Sequence, residues 1–246
     1  MTGYAETSLV RGLTFLAEKQ AAIANNLANV DTTSFKRRAT IAQPTGDRFY
    51  SMLQRNLSAV DYREVPDMAK GTLRETGNRF DIALDGPHWL RVKNAAGEQF
   101  YTRNGQLTIS TDGTLTTRSG MQVLSRDGQP LRIGAGGDAP SDIAFAPNGT
   151  VTNPETGQTY GTLAMVELPE PEALVPVGAS LYIDPKAQRG TQAGAGLQQG
   201  FLEGSNVDSL QELVAMISVE RSFSATQKAL SGVNRLQENL ITNMLR

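Results

Sequence analysis

The two ends of this chain carry helix-forming patterns, and well over a hundred residues between them carry strand-forming patterns instead. The first helix is predicted from about Thr7 to Asn29, and the second from about Asp208 to Leu245. Each helix has an apolar stripe, which another element must cover for the helix to be stable. Such a chain is typical of proteins that assemble through their ends. The helices therefore constrain fold and function more than any candidate catalytic residue.

The N-terminal stripe repeats at alternating spacings of four and three residues, which is the heptad pattern of helix contacts. Burying its six aliphatic side chains at ~2 kcal/mol each contributes roughly 12 kcal/mol. Ordering about 23 backbone residues costs ~23–46 kcal/mol before helical hydrogen bonds offset part of it. We therefore expect the helix to need further partners; a core-facing helix of an ordinary domain is the alternative. The stripe consists of Leu9, Leu13, Leu16, Gln20, Ile23, Leu27 and Val30.

Asparagines are concentrated where the first helix is expected to end. Asn25 and Asn29 are four residues apart and share a helix face. Their amides donate and accept hydrogen bonds, which suits a crowded interface. The same residues, followed by the polar run 31–34, also suit a simple helix C-terminus, because short polar side chains compete for backbone hydrogen bonds. Both interpretations remain open from the spacing alone.

The C-terminal helix has a start signal and a long, interrupted stripe. Asp208 followed by Gln211 resembles a capping box. Gly232 costs ~1 kcal/mol relative to alanine within the helix. A helix of this length either returns to the first helix or meets another subunit. Its stripe runs through Val207, Leu210, Val214 and Ile217, weakens over 221–228, and resumes at Leu230, Val233, Leu236, Leu240 and Met244.

Composition excludes several classes of protein. The chain has 246 residues, a net charge of −2, one histidine and no cysteine. Disulfides and thiolate metal sites are therefore excluded, and the scattered basic residues form no nucleic-acid footprint. No apolar run reaches the ~18–20 residues of a membrane span. The N-terminus lacks the basic start and apolar core of a cleavable secretion signal.

The middle of the chain changes to the period of two that is typical of strands. Turn signals such as Asn104-Gly105, Asp112-Gly113 and Asn148-Gly149 separate the strands, and these dipeptides favour the positive φ of tight hairpins. Hairpins in series without helical crossovers predict a compact antiparallel β domain. The alternating residues are Phe80, Ile82 and Leu84; Leu90 and Val92; Leu107 and Ile109; Leu131 and Ile133; and Leu163 and Met165.

The predicted fold class is mixed α and β. The two terminal helices pair as a coiled-coil-like layer, and the central domain is antiparallel β. A short helix is considered for Tyr50 to Val60, and the glycine-rich segment 194–200 is expected to be a flexible connector. The expected segments are an N-terminal assembly helix (1–36), a connector (37–76), the β domain (77–185), a return connector (186–204) and a C-terminal assembly helix (205–246).

Catalytic and cofactor sites are not expected. His88 lies next to Trp89 and just after Asp85-Gly86-Pro87, so we expect it at a turn, but no motif supplies the orienting partner and nucleophile that a catalytic histidine needs. The spacing of glycines over 194–200 does not fit a dinucleotide loop, and no Walker lysine follows. No metal-ligand cluster is found in the sequence. A hydrolase with an unrecognised site is therefore disfavoured, and we expect no enzyme, cofactor, metal, small-molecule substrate or nucleic-acid partner.

Three blocks, in order along the chain, carry distinctive sequences. Residues 25–36 read NNLANVDTTSFK; residues 76–86 read TGNRFDIALDG and are followed by YTRNG at 101–105; residues 199–208 read QGFLEGSNVD and are followed by ERSF at 220–223 and QK at 227–228. Together these blocks resemble the bacterial flagellar rod and hook proteins, the axial family of the basal body. Ser34 stands where that family usually has glycine, which leaves the local turn geometry open. Arg79 and the segment 87–90 also depart from the family pattern.

The resemblance implies a structural protein. Only one β module fits between the helices, so the chain looks like a rod protein and not a hook protein. Ala24 directly before Asn25, the total length and the divergent start of the sequence favour the proximal-rod type over the distal-rod type. Such subunits stack helically into a hollow drive shaft that transmits torque, with the terminal helices lining an inner tube. A non-flagellar β-rich binding module, made oligomeric by its terminal helices, is the alternative class.

The resemblance also implies partners and a location. The partners are copies of the chain, other proximal and distal rod proteins, the surrounding basal-body rings and, in transit, the flagellar type III export apparatus. The location is the periplasmic rod, reached without a cleaved signal peptide. We also expect the terminal helices to be weakly ordered in the free monomer. The predicted assembly interface comprises Leu9, Leu13, Leu16, Ile23, Asn25, Asn26, Leu27, Asn29, Val30, Phe35, Phe201, Leu202, Ser205, Asn206, Val207, Leu210, Val214, Ile217, Arg221, Phe223, Leu230, Val233, Leu236 and Leu240.

Overall fold

The computed structural model describes residues 2–45, 59–134, 142–178, 180–194 and 196–244. The chain divides into two compact units, each built from segments that are distant in sequence. The helical unit comprises Met1–Val30, Arg38–Val65 and Val207–Arg246, and the β unit comprises Asp31–Arg37 and Pro66–Asn206.

The helical unit contains two long helices that contact each other, α1 (Thr2–Ala28) and α2 (Ser209–Met244). Helix α1 begins five residues earlier than predicted, at Thr2 instead of Thr7. The predicted cap of α2 is confirmed, since Oδ1 of Asp208 accepts hydrogen bonds from the backbone N–H groups of Leu210 and Gln211 at 2.9 and 3.1 Å. Neither helix is long and apolar enough within the described residues to cross a membrane.

The two helices run antiparallel. Asn26, near the end of α1, contacts Glu212, near the start of α2, so α1 must run back along α2 to contact it further on. This answers one question that the sequence left open: α2 returns to the first helix. Helix α2 is therefore a partner of α1 within the same chain, and the need for further partners stays a prediction.

A two-stranded sheet completes the helical unit. Its strands are β1 (Arg38–Thr45) and β2 (Ala59–Pro66), and Nη1 of Arg38 pairs with Oε2 of Glu64 at 3.2 Å. Most of the short helix considered for Tyr50 to Val60 lies outside the described residues, and its last two positions belong to β2.

The β unit is organised around one large antiparallel sheet. Its strands follow the order β14-β15-β6-β5-β9-β8-β7, and β13 joins β5 to β16. The core contains the predicted apolar residues Ile82, Leu84, Leu90 and Val92. The strands are β5 (His88–Lys93), β6 (Gln99–Thr102), β7 (Leu107–Ile109), β8 (Leu115–Thr117), β9 (Gln122–Val123), β13 (Met165–Glu167), β14 (Val175–Pro176), β15 (Leu181–Ile183) and β16 (Thr191–Gln192), with a 3₁₀ turn at Pro171–Ala173.

The β unit also contains three smaller antiparallel sheets among its described residues. Strand β10 (Ala144–Phe145) pairs with β11 (Thr150–Thr152), which pairs with β12 (Thr159–Thr162). Two further pairs join segments distant in sequence: β3 (Leu73–Glu75) with β18 (Phe201–Glu203), and β4 (Ile82–Leu84) with β17 (Leu197–Gln199). The last strands before α2 thus close back onto the first strands of the β unit.

Several local predictions differ from the structure. Leu131 and Ile133 are buried but form no named strand, because only isolated bridges occur there. Gly105 does not use positive φ: a Cβ at this position would lie 1.8 Å from the carbonyl oxygen of Ile82, so glycine is needed for close approach. The flexible connector expected over 194–200 is wrong at Leu197–Gln199, which form β17. The five-segment division remains a prediction.

Candidate assembly site

The predicted stripe of α1 lies on its covered face. Ile23 is 3% exposed, and Leu9, Leu13, Leu16 and Leu27 are half-buried. Val10, one position off the stripe, is 48% exposed. The heptad spacing therefore identified the face of α1 that packs in the helical unit.

The predicted stripe of α2 lies mainly on the opposite, exposed face. Leu210, Val214 and Ile217 are 70%, 61% and 51% exposed, and Leu236 is 65% exposed. The covered face instead follows a second row of alternating four- and three-residue spacings, which we call the inner row of α2. Its members are Glu212, Met216, Val219, Phe223, Thr226, Leu230 and Val233, all buried or half-buried.

Two rows of the same period explain this difference. The inner row includes Glu212 and Thr226, so it looks less apolar at its start than the row through Leu210 and Val214. Periodicity selected the more apolar row and missed the row that is covered. Phe223, Leu230 and Val233 were predicted and lie on the inner row, while the side chain of Leu240 lies outside the described residues.

Asn26 fixes the end of α1 in the helical unit. Its side chain is fully buried, its Nδ2 donates to the carbonyl of Arg38 at 3.0 Å, and its Oδ1 accepts from the N–H of Arg38 at 2.8 Å. Nδ2 also donates to Oε2 of Glu212 at 3.3 Å. One amide therefore ties together α1, the start of β1 and the first turn of α2, and its geometry requires both a donor and an acceptor.

Asn25 and Asn29 have more local roles. Nδ2 of Asn29 donates to the carbonyl of Asn25 at 2.8 Å, which caps the last turn of α1. The Oδ1 of Asn25 is buried and has no hydrogen-bond partner among the described residues. Asn29 thus supports the interpretation as a helix C-terminus, and the interface role of Asn25 and Asn29 stays a prediction.

A buried charged cluster lies in the β unit. Glu203 accepts from Nζ of Lys36 at 2.7 Å and from Nε of Arg103 at 2.8 Å, and its Oε1 also accepts from the N–H of Gly71 at 3.0 Å. All three charged side chains are 5% exposed or less. Nζ of Lys36 further donates to the carbonyl of Ala69 at 2.7 Å.

Arg103 is held on several sides. Its Nη1 donates to the carbonyls of Gly86 and His88 at 2.9 and 2.7 Å, and its Nη2 donates to the carbonyl of Leu84 at 2.9 Å. Its guanidinium carbon lies 5.8 Å from the ring centre of Trp89, within cation–π range. The residue therefore locks β4 and the start of β5 to the carboxylate of Glu203.

The electrostatics of the cluster follow from burial and from its two cations. Burial disfavours the ionised carboxylate, yet the charges of Arg103 and Lys36 outweigh it and hold the pKa of Glu203 below its usual value. Burial lowers the pKa of Lys36, and the attraction of Glu203 only partly offsets it. Glu203 therefore remains ionised, and burial makes Lys36 easier to neutralise than an exposed lysine.

Ser34 adopts the geometry for which glycine is usually chosen. Its φ is 56°, in the left-handed region that disfavours most side chains. Its Oγ donates to the carbonyl of Arg103 at 2.8 Å, and its N–H donates to the carbonyl of Glu203 at 2.8 Å. The turn that the sequence left open therefore keeps positive φ, and hydrogen bonds hold the serine in it.

Asn206 is the last residue of the β unit, and its hydrogen bonds join it to two other segments of that unit. Its Oδ1 accepts from the N–H of Arg37 at 2.6 Å, and its Nδ2 donates to the carbonyls of Asp67 and Ala69 at 2.9 and 3.0 Å. Its N–H donates to the carbonyl of Phe35 at 3.3 Å. These bonds satisfy both ends of the amide and fix the chain just before α2 begins.

The remaining predicted positions are divided between the two units. Phe35 and Leu202 are 1% and 3% exposed in the β unit, where Phe201 and Ser205 are half-buried. In the helical unit Val207 is 9% exposed, Val30 is half-buried and Arg221 is exposed.

Sequence reasoning missed the charged cluster. Each of the three distinctive blocks supplies one member: Lys36 from the first, Arg103 from the second and Glu203 from the third. A charged residue of complementary sign in each block was the available signal. Glu212 was also missed, because a carboxylate does not fit an apolar stripe.

His88 does not lie in the turn where it was expected. It begins β5, and its carbonyl accepts from Arg103. Its Nδ1 is buried without a hydrogen-bond partner among the described residues. No group of three or more His, Cys, Asp or Glu side chains in the described part of the chain could hold a metal ion.

Comparisons with known proteins match the same three regions. Residues 8–36 match the model of the flagella basal body rod protein, residues 83–153 match the D1 domain of the flagellar hook proteins FlgE, FlgF and FlgG, and residues 198–244 match the C-terminal model of the rod proteins FlgE, FlgF and FlgG. These three ranges contain all of the predicted interface residues and all three members of the charged cluster.

Relatives of two kinds are similar over nearly the whole chain. The basal-body rod protein FlgF of Escherichia coli K12 is 30% identical, with 88% of each chain covered. The rod protein FlgF of Salmonella typhimurium is 29% identical, again over 88% of each chain. The rod protein FlgG of Agrobacterium fabrum is 27% identical over 90% of this chain and 92% of its own. The chain therefore belongs to the flagellar basal-body rod protein family, whose members are structural proteins and not enzymes.

Proposed function

We propose that the chain is a proximal-rod subunit, which stacks helically with its neighbours into the hollow shaft that carries torque from motor to hook. The observation that carries stacking is the exposed apolar face of α2. Leu210, Val214 and Ile217 are each at least half exposed, although α2 already packs against α1 with its inner row. A monomeric protein gains nothing from leaving a row of large apolar side chains in water, whereas a stacking subunit covers it on assembly.

The charged cluster suits a subunit that bears torque. Lys36, Arg103 and Glu203 come from three segments of the β unit and are fixed by hydrogen bonds in the interior. Breaking such a cluster leaves an uncompensated buried charge, so shear between the segments is strongly opposed. The β unit is thereby suited to transmit force without deforming.

In such a rod, each part of the chain has a separate role. The helices pair as a coiled-coil-like layer that lines an inner tube, and the division into 1–36, 37–76, 77–185, 186–204 and 205–246 separates the assembly helices from the β domain. The other partners are distal and proximal rod proteins, the surrounding rings and the type III export apparatus. The subunit acts in the periplasm after export without signal cleavage.

The proximal position rests on the sequence around Ala24, on the chain length and on the divergent start. It is tested in cells that lack the distal-rod protein, where the rod stops short. Basal bodies are isolated from these cells and probed for an epitope-tagged copy of the chain. A proximal subunit is retained at its normal amount, whereas loss of the chain from these truncated rods assigns it to the distal rod.

A soluble tagged copy that never enters basal bodies, in cells with a complete rod, would contradict the rod function itself. Motility of the tagged strain is the control, because it shows that the tag leaves the subunit functional.

A further inference from the structure

The face of the large sheet that carries Trp89 has a cleft of about 590 Å³, a size that is typical of small-molecule sites. Strand register places its lining on this face, because Arg91 on β5 pairs with Tyr101 on β6, and Val166 on β13 pairs with both Trp89 and Gln192. We call it the arginine cleft. Its polar lining includes Arg91, Gln99, Tyr101, Asp184, Arg189 and Gln192.

A well-anchored loop, residues 184–190, forms one wall of the arginine cleft. The carboxylate of Asp184 accepts from the backbone N–H of Gln188 at 2.5 Å. The side chain of Gln188 accepts from the N–H of Glu170 at 2.8 Å and donates to its carbonyl at 3.1 Å. Gly190 lets the loop approach β13, because a Cβ there would lie 3.1 Å from the Cβ of Val166. The wall is therefore formed before any ligand binds.

Cations outnumber carboxylates in the arginine cleft. Arg91 and Arg189 line it, and Lys93, two positions along β5 from Arg91, lies on the same face. None of these three has an ion-pair partner within the described residues. The one carboxylate in the lining, Asp184, is occupied by hydrogen bonds from its own loop. Guanidinium groups bind planar oxyanions through paired hydrogen bonds, so the cleft suits a ligand with a carboxylate.

The neutral groups of the cleft suit a ligand with hydroxyls. Gln192 is exposed, and its amide both donates and accepts, as a hydroxyl does. Oε1 of Gln99 accepts from Nη2 of Arg91 at 2.8 Å, which leaves its Nε2 to donate to a ligand. The half-buried ring of Tyr101 offers a flat apolar surface with a polar tip. Burial raises the pKa of Tyr101, so its hydroxyl stays protonated and able to donate.

An extended peptide fits the arginine cleft less well than a saccharide. Extended peptides commonly add as a strand to a free sheet edge, where backbone hydrogen bonds provide the affinity. The strands that form the floor, β5, β6 and β13, are each paired on both sides. The floor therefore offers side chains to a ligand and no unpaired strand edge.

We propose that the arginine cleft binds an acidic saccharide, that is, a sugar chain whose rings carry carboxylates. Arg91 and Arg189 bind the carboxylates, while Tyr101 and the two glutamines contact the sugar rings and their hydroxyls. The site lies wholly within the β unit, so it goes beyond the rod function and does not depend on it.

Titration of the full chain with trigalacturonate tests the site, because this oligosaccharide has a carboxylate on every ring. Backbone amide signals are followed by NMR. The expected changes are concentrated in β5, β6, β16 and the loop 184–190, and binding weakens as salt is added. Maltotriose, a neutral sugar of the same length, is expected to bind more weakly. Equal binding of the two sugars, or no response to trigalacturonate, would overturn the proposal.

Arg189→Gln and Arg118→Gln form a matched pair of variants. Both remove one exposed positive charge, but Arg118 lies in the turn between β8 and β9 and does not line the cleft. Arg189→Gln is expected to raise the Kd for trigalacturonate about two- to five-fold, as for an exposed ion pair, and Arg118→Gln to leave it unchanged. Circular dichroism checks that both variants fold. Equal weakening would show a general attraction of anions to the surface and refute the site.

A triglutamate peptide, acetylated and amidated at its ends, supplies the same charge as trigalacturonate without sugar rings. It is expected to bind more weakly, because it lacks the rings and hydroxyls that contact Tyr101 and the glutamines. Equal or tighter binding of the peptide would replace the saccharide by an acidic peptide and overturn the proposal.

Discussion

Nζ of Lys36 and Oε1 of Glu203 are 2.7 Å apart, although 167 residues separate them in the sequence. Both side chains are almost completely buried, and Arg103 approaches the other carboxylate oxygen at 2.8 Å. One carboxylate thus balances two cations. The consequence is that the three residues are not equally replaceable.

Replacing Glu203 by glutamine is predicted to destabilise the protein strongly. Glu203→Gln leaves Lys36 and Arg103 buried without a counter-charge, which costs about 3–5 kcal/mol of unfolding free energy. Lys36→Met removes one cation, and the carboxylate keeps Arg103 and the N–H of Gly71, so a smaller loss is expected. Urea denaturation measures both. Equal losses in the two variants would show that Glu203 is not the centre of the cluster.

Acid is predicted to weaken the protein through the same carboxylate. The pKa of Glu203 lies below its ordinary value near 4.5 in the folded chain. As the pH falls through 4.5, the unfolded chain takes up a proton there that the folded chain does not, so the unfolding free energy decreases. The stabilisation is fully present above 4.5 and is lost as the pH passes the folded pKa. Unfolding free energies between pH 6 and pH 3 check this expectation, and Glu203→Gln should show a shallower dependence; an identical slope would contradict it.

Two substitutions at Ser34 separate backbone strain from hydrogen bonding. Ser34→Ala loses the bond to the carbonyl of Arg103 and keeps the left-handed φ of 56°, with an expected loss of about 1–2 kcal/mol. Ser34→Gly loses the same bond but relieves ~1 kcal/mol of strain. Thermal or urea unfolding should therefore rank glycine above alanine. The reverse order would mean that strain at Ser34 is negligible.

Asn26 is predicted to matter more than its neighbour Asn29. Asn26→Leu keeps a similar volume but leaves the N–H and the carbonyl of Arg38 without their amide partner, at about 1–3 kcal/mol for each buried group. Asn29→Ala removes one bond at the end of α1 and serves as the matched control, with a loss of ~1 kcal/mol. Unfolding monitored by helical circular dichroism compares them. Similar losses of unfolding free energy in the two variants would show that the buried amide of Asn26 stabilises the protein no more than the side chain of Asn29 does.

Hydrogen exchange on dilute monomer tests whether α1 is held within its own chain. Ala22, Ile23 and Asn26 are 3% exposed or less, while residues 7–15 are at best half-buried. Slow exchange is therefore expected around Ala22–Asn26, with faster exchange towards Thr7. Uniformly fast exchange along α1 would restore the hypothesis that the terminal helices are weakly ordered before assembly.

The sequence was sufficient to predict the two helices and the antiparallel body. Heptad spacing on α1 identified its covered face, because its apolar residues form only one row. On α2 two rows compete, and the row through Leu210 and Val214 is more apolar than the covered row that contains Glu212. Sequence alone could not choose between them, since the choice depends on which face meets α1.

The charged cluster was not predictable from local patterns. Lys36, Arg103 and Glu203 lie in three blocks, and each of them alone resembles a surface charge. Only the pairing of β18 with β3 and the turn at Ser34 bring them together. Similarly, Gly105 resembled a hairpin glycine in the sequence. Its side chain is excluded instead by the carbonyl oxygen of Ile82 in β4.

Pairing of β18 with β3 has a consequence for folding kinetics. The contacts that complete the β unit connect residues near position 36 or 74 with residues near position 203, so their contact order is high. Loops of that length close slowly, and the chain cannot complete this body until nearly all of its sequence is available. A chain ending before Phe201 would lack both the closing strand and the carboxylate, and we expect it to remain open.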